Sequence, residues 1–194
     1  VNASSTVING NSQPGGSFPK ITVDGVDLYK TCVVTTATNL TIKGIRFTRS
    51  LDGGGIFLNP AQTFVIDSCV VVGNAFSYGI DVYSGDNGII RNSYIGIEAD
   101  GTTCNGNGPG GSAGIRVYNG ANSNTIDKNV IGCNGASAVQ INLNSSSNIV
   151  TNNIIGSATD APCTNKGNAQ RGIYIQAGCT NNIIGTVGNP NIIA

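Results

Sequence analysis

Residues 114–131 read GIRVYNGANSNTIDKNVI and residues 138–155 read AVQINLNSSSNIVTNNII, one pattern displaced by 24 positions. Each stretch holds two markers. One is a small residue followed by apolar, variable, apolar. The other is an apolar residue followed a few positions later by an apolar pair. Working outward, the apolar-pair marker is anchored at Ile42, Ile66, Ile90, Ile126, Val150 and Ile184, spaced 24, 24, 36, 24 and 34. The small-residue marker reads GVDL, GIFL, GIDV, GIRV, AVQI and GIYI, starting its apolar positions at Val26, Ile56, Ile80, Ile115, Val139 and Ile173. Its intervals are 30, 24, 35, 24 and 34. Both markers lengthen together where the interval lengthens, so each repeat is a single coil with insertions at a fixed turn.

Alternation within each marker gives strands of three to five residues, with Gly and Asn at the breaks. A repeat that short and that extended is one turn of a solenoid, stacked on the next at about 4.8 Å. The expected fold is all-β, a right-handed single-stranded parallel β-helix of about six coils forming one domain over residues 1–194. The long stretches 97–113, 157–171 and 10–24 are expected to leave the solenoid at one shared corner.

Composition narrows the function. Charged residues are 10% of the chain and hydrophobic residues 39%, so the surface must be polar without being charged. Ten acidic residues balance ten basic ones, which leaves no field to attract nucleic acid. No apolar run reaches the roughly 20 residues needed to cross a bilayer. The six cysteines, Cys32, Cys69, Cys104, Cys133, Cys163 and Cys179, lack the spacing of a zinc site and are read as disulfide candidates in an oxidising compartment. A bridge from Cys133 to one of the long loops would pin that loop to the rod, and Cys163 with Cys179 is equally open.

QPGG after VING, the blocks NSYIGIEADGTTCNGNG and GIRVYNGANSNTIDKNVIG, and the ending TNNIIGTVGNPNIIA resemble bacterial exported proteins with right-handed parallel β-helix repeats, in the broad pectate-lyase-like superfamily. The resemblance covers nearly the whole chain. It implies the fold and a secreted or cell-surface location, in a segment of a longer or polymerising surface protein. It does not imply an activity, because the same coil carries enzymes, adhesins and inert stalks. The cysteines within the coils depart from the family pattern.

Catalysis on such a rod needs a pair of carboxylates or a base with a held cation. The chain has no histidine, and its carboxylates scatter over the coil register. Asp67 and Asp127 share a column two coils apart, as do Asp27 and Asp81. Asp81 and Arg116 fall on successive coils as an ion pair. Glu98 with Asp100, or Asp81 with Asp86, could hold Ca²⁺, but isolated Asp-Gly pairs are usually turn chemistry. No catalytic residue, metal ligand or cofactor is therefore expected.

With Ile80 and Val82 inward, Asp81 and Tyr83 point out, and the same parity places Tyr29, Phe57, Tyr83, Tyr118 and Tyr174 on one outer face. Aromatic faces beside amide and hydroxyl groups suit sugar rings or a protein partner. If Asn129 and Asn153 turn inward as a ladder, then Val70, Tyr94, Val130, Ile154 and Ile192 form an outward apolar column that the long loops should cover. The expected function is an extracellular structural or adhesive module, assembling end to end or binding polysaccharide through the aromatic face. A polysaccharide lyase or glycoside hydrolase, or its carbohydrate-binding domain, is the alternative.

Overall fold

The computed structural model describes residues 5–26, 31–157 and 165–194. Their strands form three parallel sheets. The first sheet stacks Val7–Asn9, Thr41–Lys43, Val65–Asp67, Ile89–Arg91, Thr125–Asp127, Ile149–Thr151 and Ile183–Ile184. The second stacks Ile21–Asp24, Ile45–Thr48, Val70–Val72, Tyr94–Ile95, Val130–Ile131, Ile154–Ile155 and Ile192–Ile193. The third stacks Val33–Thr35, Ile56–Leu58, Ile80–Tyr83, Ile115–Tyr118, Val139–Ile141 and Ile173–Ile175. Each strand pairs in parallel with its counterpart one coil away, as Ile126 does with Ile90 and Val150. The architecture is a right-handed parallel β-helix.

The register extends the sequence reading and corrects it in two places. Two sheets have seven strands and the third has six, in line with the expected rod of about six coils. The apolar-pair marker is two strands rather than one, because the chain bends between them. The GVDL match is false: Val26 lies in a turn at φ +48°, and the third sheet begins at Val33–Thr35. With it goes the shared corner for all three insertions. Residues 98–114 and the later long loop leave between the second and third sheets. The stretch 10–20 instead joins Val7–Asn9 to Ile21–Asp24, between the first and second.

Two of the corners turn mostly with one two-residue device: a residue in the left-handed region, then a residue at an inward position. Between the first and second sheets the left-handed residue is Gly44, Ser68, Asn92, Lys128 and Asn152 in turn, at φ between +52° and +69°. Between the third and first it is Asn39, Thr63, Asn87, Ser123, Ser147 and Asn181. Short polar side chains and glycine tolerate this conformation best, which explains most of these residues. The inward residues that follow are Leu40, Phe64, Gly88, Asn124, Asn148 and Asn182 at one corner, and Ile45, Cys69, Ser93, Asn129 and Asn153 at another, where Asn191, after Pro190, continues the column.

In the C-terminal half these inward residues are asparagine ladders. Asn129 Nδ2 donates to Asn153 Oδ1 at 3.0 Å, and Asn153 Nδ2 to Asn191 Oδ1 at 2.9 Å. The same link joins Asn124 to Asn148 and Asn148 to Asn182, at 3.1 and 3.0 Å. At the third corner Asn74, Asn107, Asn134 and Asn168 are linked at 2.8, 3.0 and 2.9 Å. Each Oδ1 also accepts the backbone N–H of the preceding corner residue, as Asn148 does from Asn124 at 2.9 Å. Asn124, Asn129, Asn148 and Asn153 are at most 1% exposed, and such burial is tolerable because donors and acceptors are matched.

The ladder explains the small residue that opens the second marker. A Cβ at Gly79 would lie 2.8 Å from Asn107 Nδ2, and one at Gly114 would lie 2.7 Å from Asn134 Nδ2. Between the corners, the columns Ile42, Ile66, Ile90, Ile126, Val150 and Phe47, Val71, Ile95, Ile131, Ile155 are almost fully buried. Each such side chain contributes about 1.5–3 kcal/mol.

Cys104 and Cys133 are disulfide-bonded with Cα atoms 5.7 Å apart, so the 98–114 loop is pinned to the corner residue of the next coil. Cys32, Cys69 and Cys179 are free thiols, against the expectation that they pair. They serve as small apolar residues: Cys69 is a corner side chain between Ile45 and Ser93, and Cys32 and Cys179 pack against the core. Burial pushes the Cys69 thiol up to about 11. Cys163 lies outside the described residues. A disulfide points to an oxidising, non-cytoplasmic environment. Among the described residues no helix is long and apolar enough to cross a membrane.

Candidate functional site

The outer face of the third sheet presents two columns. Val34, Phe57, Asp81, Arg116, Gln140 and Tyr174 run along one, with Tyr83 and Tyr118 paired in the other. Phe57 and Tyr83 meet edge to face with centroids 6.1 Å apart, and Tyr83 and Tyr118 lie tilted at 5.5 Å. Three of the five predicted aromatic residues thus form one ladder, each half-buried with an exposed flank. Tyr174 is on the same face but two coils beyond Arg116, where the Arg171 guanidinium stacks on it at 4.8 Å. Tyr29 lies outside the described residues.

Arg116 organises the centre of this face. Its Nε and Nη2 donate to the two Asp81 carboxylate oxygens at 2.8 and 2.6 Å, and its Nη1 donates to the Tyr78 hydroxyl at 3.1 Å. The guanidinium lies 3.9 Å from the Tyr78 ring centroid and 4.2 Å from that of Tyr118. The expected ion pair is present, yet it is no solvated surface pair, because Arg116 and the rings leave Asp81 5% exposed. Tyr78 went unrecognised in the sequence. It sits in a turn ahead of Ile80–Tyr83, outside both markers, and only the coil stacking brings it to Arg116.

The carboxylates are held by neighbours. Asp67 and Asp127 share a column as expected, with Arg91 between them. Burial raises the Asp67 carboxyl, but hydrogen bonds from Asn92, Arg91 and Ser68 outweigh it and leave it below the usual range. Glu98 accepts from Arg46 at 2.7 and 3.1 Å and from Asn105 at 2.8 Å, and the Arg46 contact holds it low. Asp100 caps the Thr102 and Thr103 amides and is lowered to about 2, chiefly by the Thr103 hydroxyl and amide. Asp86 accepts from the Asn122 amide at 2.7 Å. The two residue pairs considered for Ca²⁺ are therefore each turned to protein partners. Among the described residues no three His, Cys, Asp or Glu side chains converge as a metal-holding group.

The apolar column of the second sheet is also in place: Val70, Tyr94, Val130, Ile154 and Ile192 are in register, with Asn129 and Asn153 turned inward. Val70 is fully buried although it faces out. Arg46 and Tyr94 flank it in the column, and the Arg46–Glu98 pair spans it from the disulfide-anchored loop. Cover ends at the last coil, where Ile192 is 52% exposed.

A family model described as a right handed beta helix region matches residues 24–189. No curated protein and no solved structure matches the chain. Fold, coil register and family model agree, and the chain belongs to the right-handed β-helix family.

Proposed function

We propose that this chain is a secreted or cell-surface rod without catalytic activity of its own, which binds polysaccharide through the outer face of the third sheet. The reading rests on one observation: Phe57, Tyr83 and Tyr118 form a half-exposed aromatic ladder along the rod axis. Rings at coil spacing, turned edge to face and tilted, offer apolar edges and faces in turn to successive sugar units of an extended chain. Arg116, clamped between Tyr78 and Tyr118 and neutralised by Asp81, fixes Tyr118 without leaving an unpaired charge on the face. A rigid platform of this kind loses little side-chain entropy on binding.

A glycan array probed with the wild type and with a Tyr83→Ala, Tyr118→Ala double variant tests this directly. Retention of a glycan class by the wild type and its loss in the variant is the expected result. Retention by neither protein sinks the sugar-binding reading. An ultraviolet assay for unsaturated uronide product, with and without Ca²⁺, tests the lyase alternative, and turnover there overturns the non-catalytic half.

A further inference from the structure

We infer that the outer face of the first sheet is a docking surface for a second copy of this chain, laid against it with the rod axis reversed. Two columns face outward there over six successive coils. One is Val7, Thr41, Val65, Ile89, Thr125 and Ile149, and beside it run Asn9, Lys43, Asp67, Arg91, Asp127 and Thr151. From either end the first column is apolar, threonine, apolar, apolar, threonine, apolar. The second is polar, cation, anion, cation, anion, polar, so reversing it exchanges every charge for the opposite one. Alternating charge has a reason within one chain, since Arg91 Nη2 reaches Asp67 Oδ2 at 3.1 Å. No such pairing accounts for the order of the apolar column. Lys43 forms no ion pair among the described residues.

A two-fold axis parallel to the strands, passing between Val65 and Ile89, sets each column against its own copy in reverse order. Val65 then meets Ile89 of the second copy, Thr41 meets Thr125, and Val7 meets Ile149. In the charged column Asp67 meets Arg91 and Lys43 meets Asp127, each twice by symmetry. At the corner beside them Lys128 falls opposite Gly44, where there is no side chain to obstruct it. Ile183, in the seventh coil, overhangs. The register is specific. A slip of one coil sets Asp67 against Asp67 and Lys43 against Arg91, and a parallel arrangement sets the apolar column against the charged one. Six coils at about 4.8 Å and a face about 15 Å wide bury about 900 Å² in all, the size of a weak, concentration-dependent pair. Because the axis follows the strands, the third sheets of both copies stay free on one flank.

Sedimentation of the wild type up to about 1 mM, at low and high salt, is the first test, and a mass rising from monomer to dimer, less so in high salt, is expected. Lys43→Glu and Asp127→Lys each set like charges across the axis, and each alone should associate at least tenfold more weakly. Their equimolar mixture should recover the wild-type affinity, because each supplies the charge that the other lacks. Lys20→Glu and Asp52→Lys make the same changes of net charge away from this face, and they should associate as the wild type does, separately and mixed. Circular dichroism checks that each variant is folded. Arg91→Glu with Asp67→Lys repeats the exchange at the two central coils, so loss of fold in one variant leaves the test standing. A monomer at about 1 mM, undiminished association of the face variants, no recovery on mixing, or an equal gain in the control pair overturns the inference.

Discussion

The two halves of the rod solve the same corner differently. Between the third and first sheets, Leu40 and Phe64 fill the inward position in the N-terminal coils, and Asn124, Asn148 and Asn182 fill it farther on. Between the first and second, the column passes from Ile45 through Cys69 and Ser93 to Asn129, Asn153 and Asn191. Apolar corners are individual fits. The Phe64 ring occupies the space above it so fully that a Cβ at Gly88 would lie 2.0 Å from its Cζ. An asparagine corner is periodic, because each coil supplies what the one before it lacks. Apolar corners thus tie a coil to its particular neighbours, whereas amide corners make coils interchangeable.

The comparison can be broken at several points. The largest effect is expected from Phe64→Ala, which empties a corner that Gly88 cannot refill and should cost about 3–5 kcal/mol by urea denaturation. Asn148→Leu places at an amide corner the residue that serves well at position 40. It strips the acceptor from the Asn124 side chain and backbone amide, and a loss of about 3 kcal/mol is expected. Near-neutral behaviour there means that the two kinds of corner are equivalent after all.

Gly114→Ala probes the ladder from the side, since the added Cβ meets Asn134 Nδ2 at 2.7 Å. About 1–3 kcal/mol is expected, partly recovered when Asn134→Ala is combined with it. Strict additivity in that double-mutant cycle assigns the glycine to some other contact.

The smallest effect is electrostatic. Arg46 holds the Glu98 carboxyl below its ordinary value, so the pair contributes fully above the unfolded pKa of about 4.3 and is lost as pH falls through the lower folded value. Glu98→Gln should cost about 0.5–1 kcal/mol at pH 7 and nothing at pH 2. A difference that persists in acid places the effect in packing over Val70 rather than in charge.

Much of this was legible in the sequence, and the gaps have physical causes. The 24-residue interval, the inward parity of Ile80 and Val82, and the Asp81–Arg116 pair follow from stacking like on like. That the bend at the corner asparagine divides the apolar-pair marker between two sheets was hidden, because the left-handed residue before it varies from Gly44 to Lys128. GVDL mimics GIDV in composition, and only the backbone at Val26 distinguishes a turn from a strand. Tyr78 was out of reach because a turn residue carries no register of its own. The fate of the cysteines was divided for a similar reason: Cys69 is spaced like its neighbours in the corner column, where a thiol is simply a small side chain.

The direction of the ladders has one more consequence. Every carbonyl in the three asparagine columns is turned toward the preceding coil, so these side-chain dipoles do not alternate and cancel as strand dipoles do. They add along the axis. In a chain of formal net charge zero the ladders thus make an axial contribution of fixed sign, negative toward the amino-terminal side and positive toward the carboxy-terminal side, and each coil inserted with an Asn at every corner lengthens it by one step.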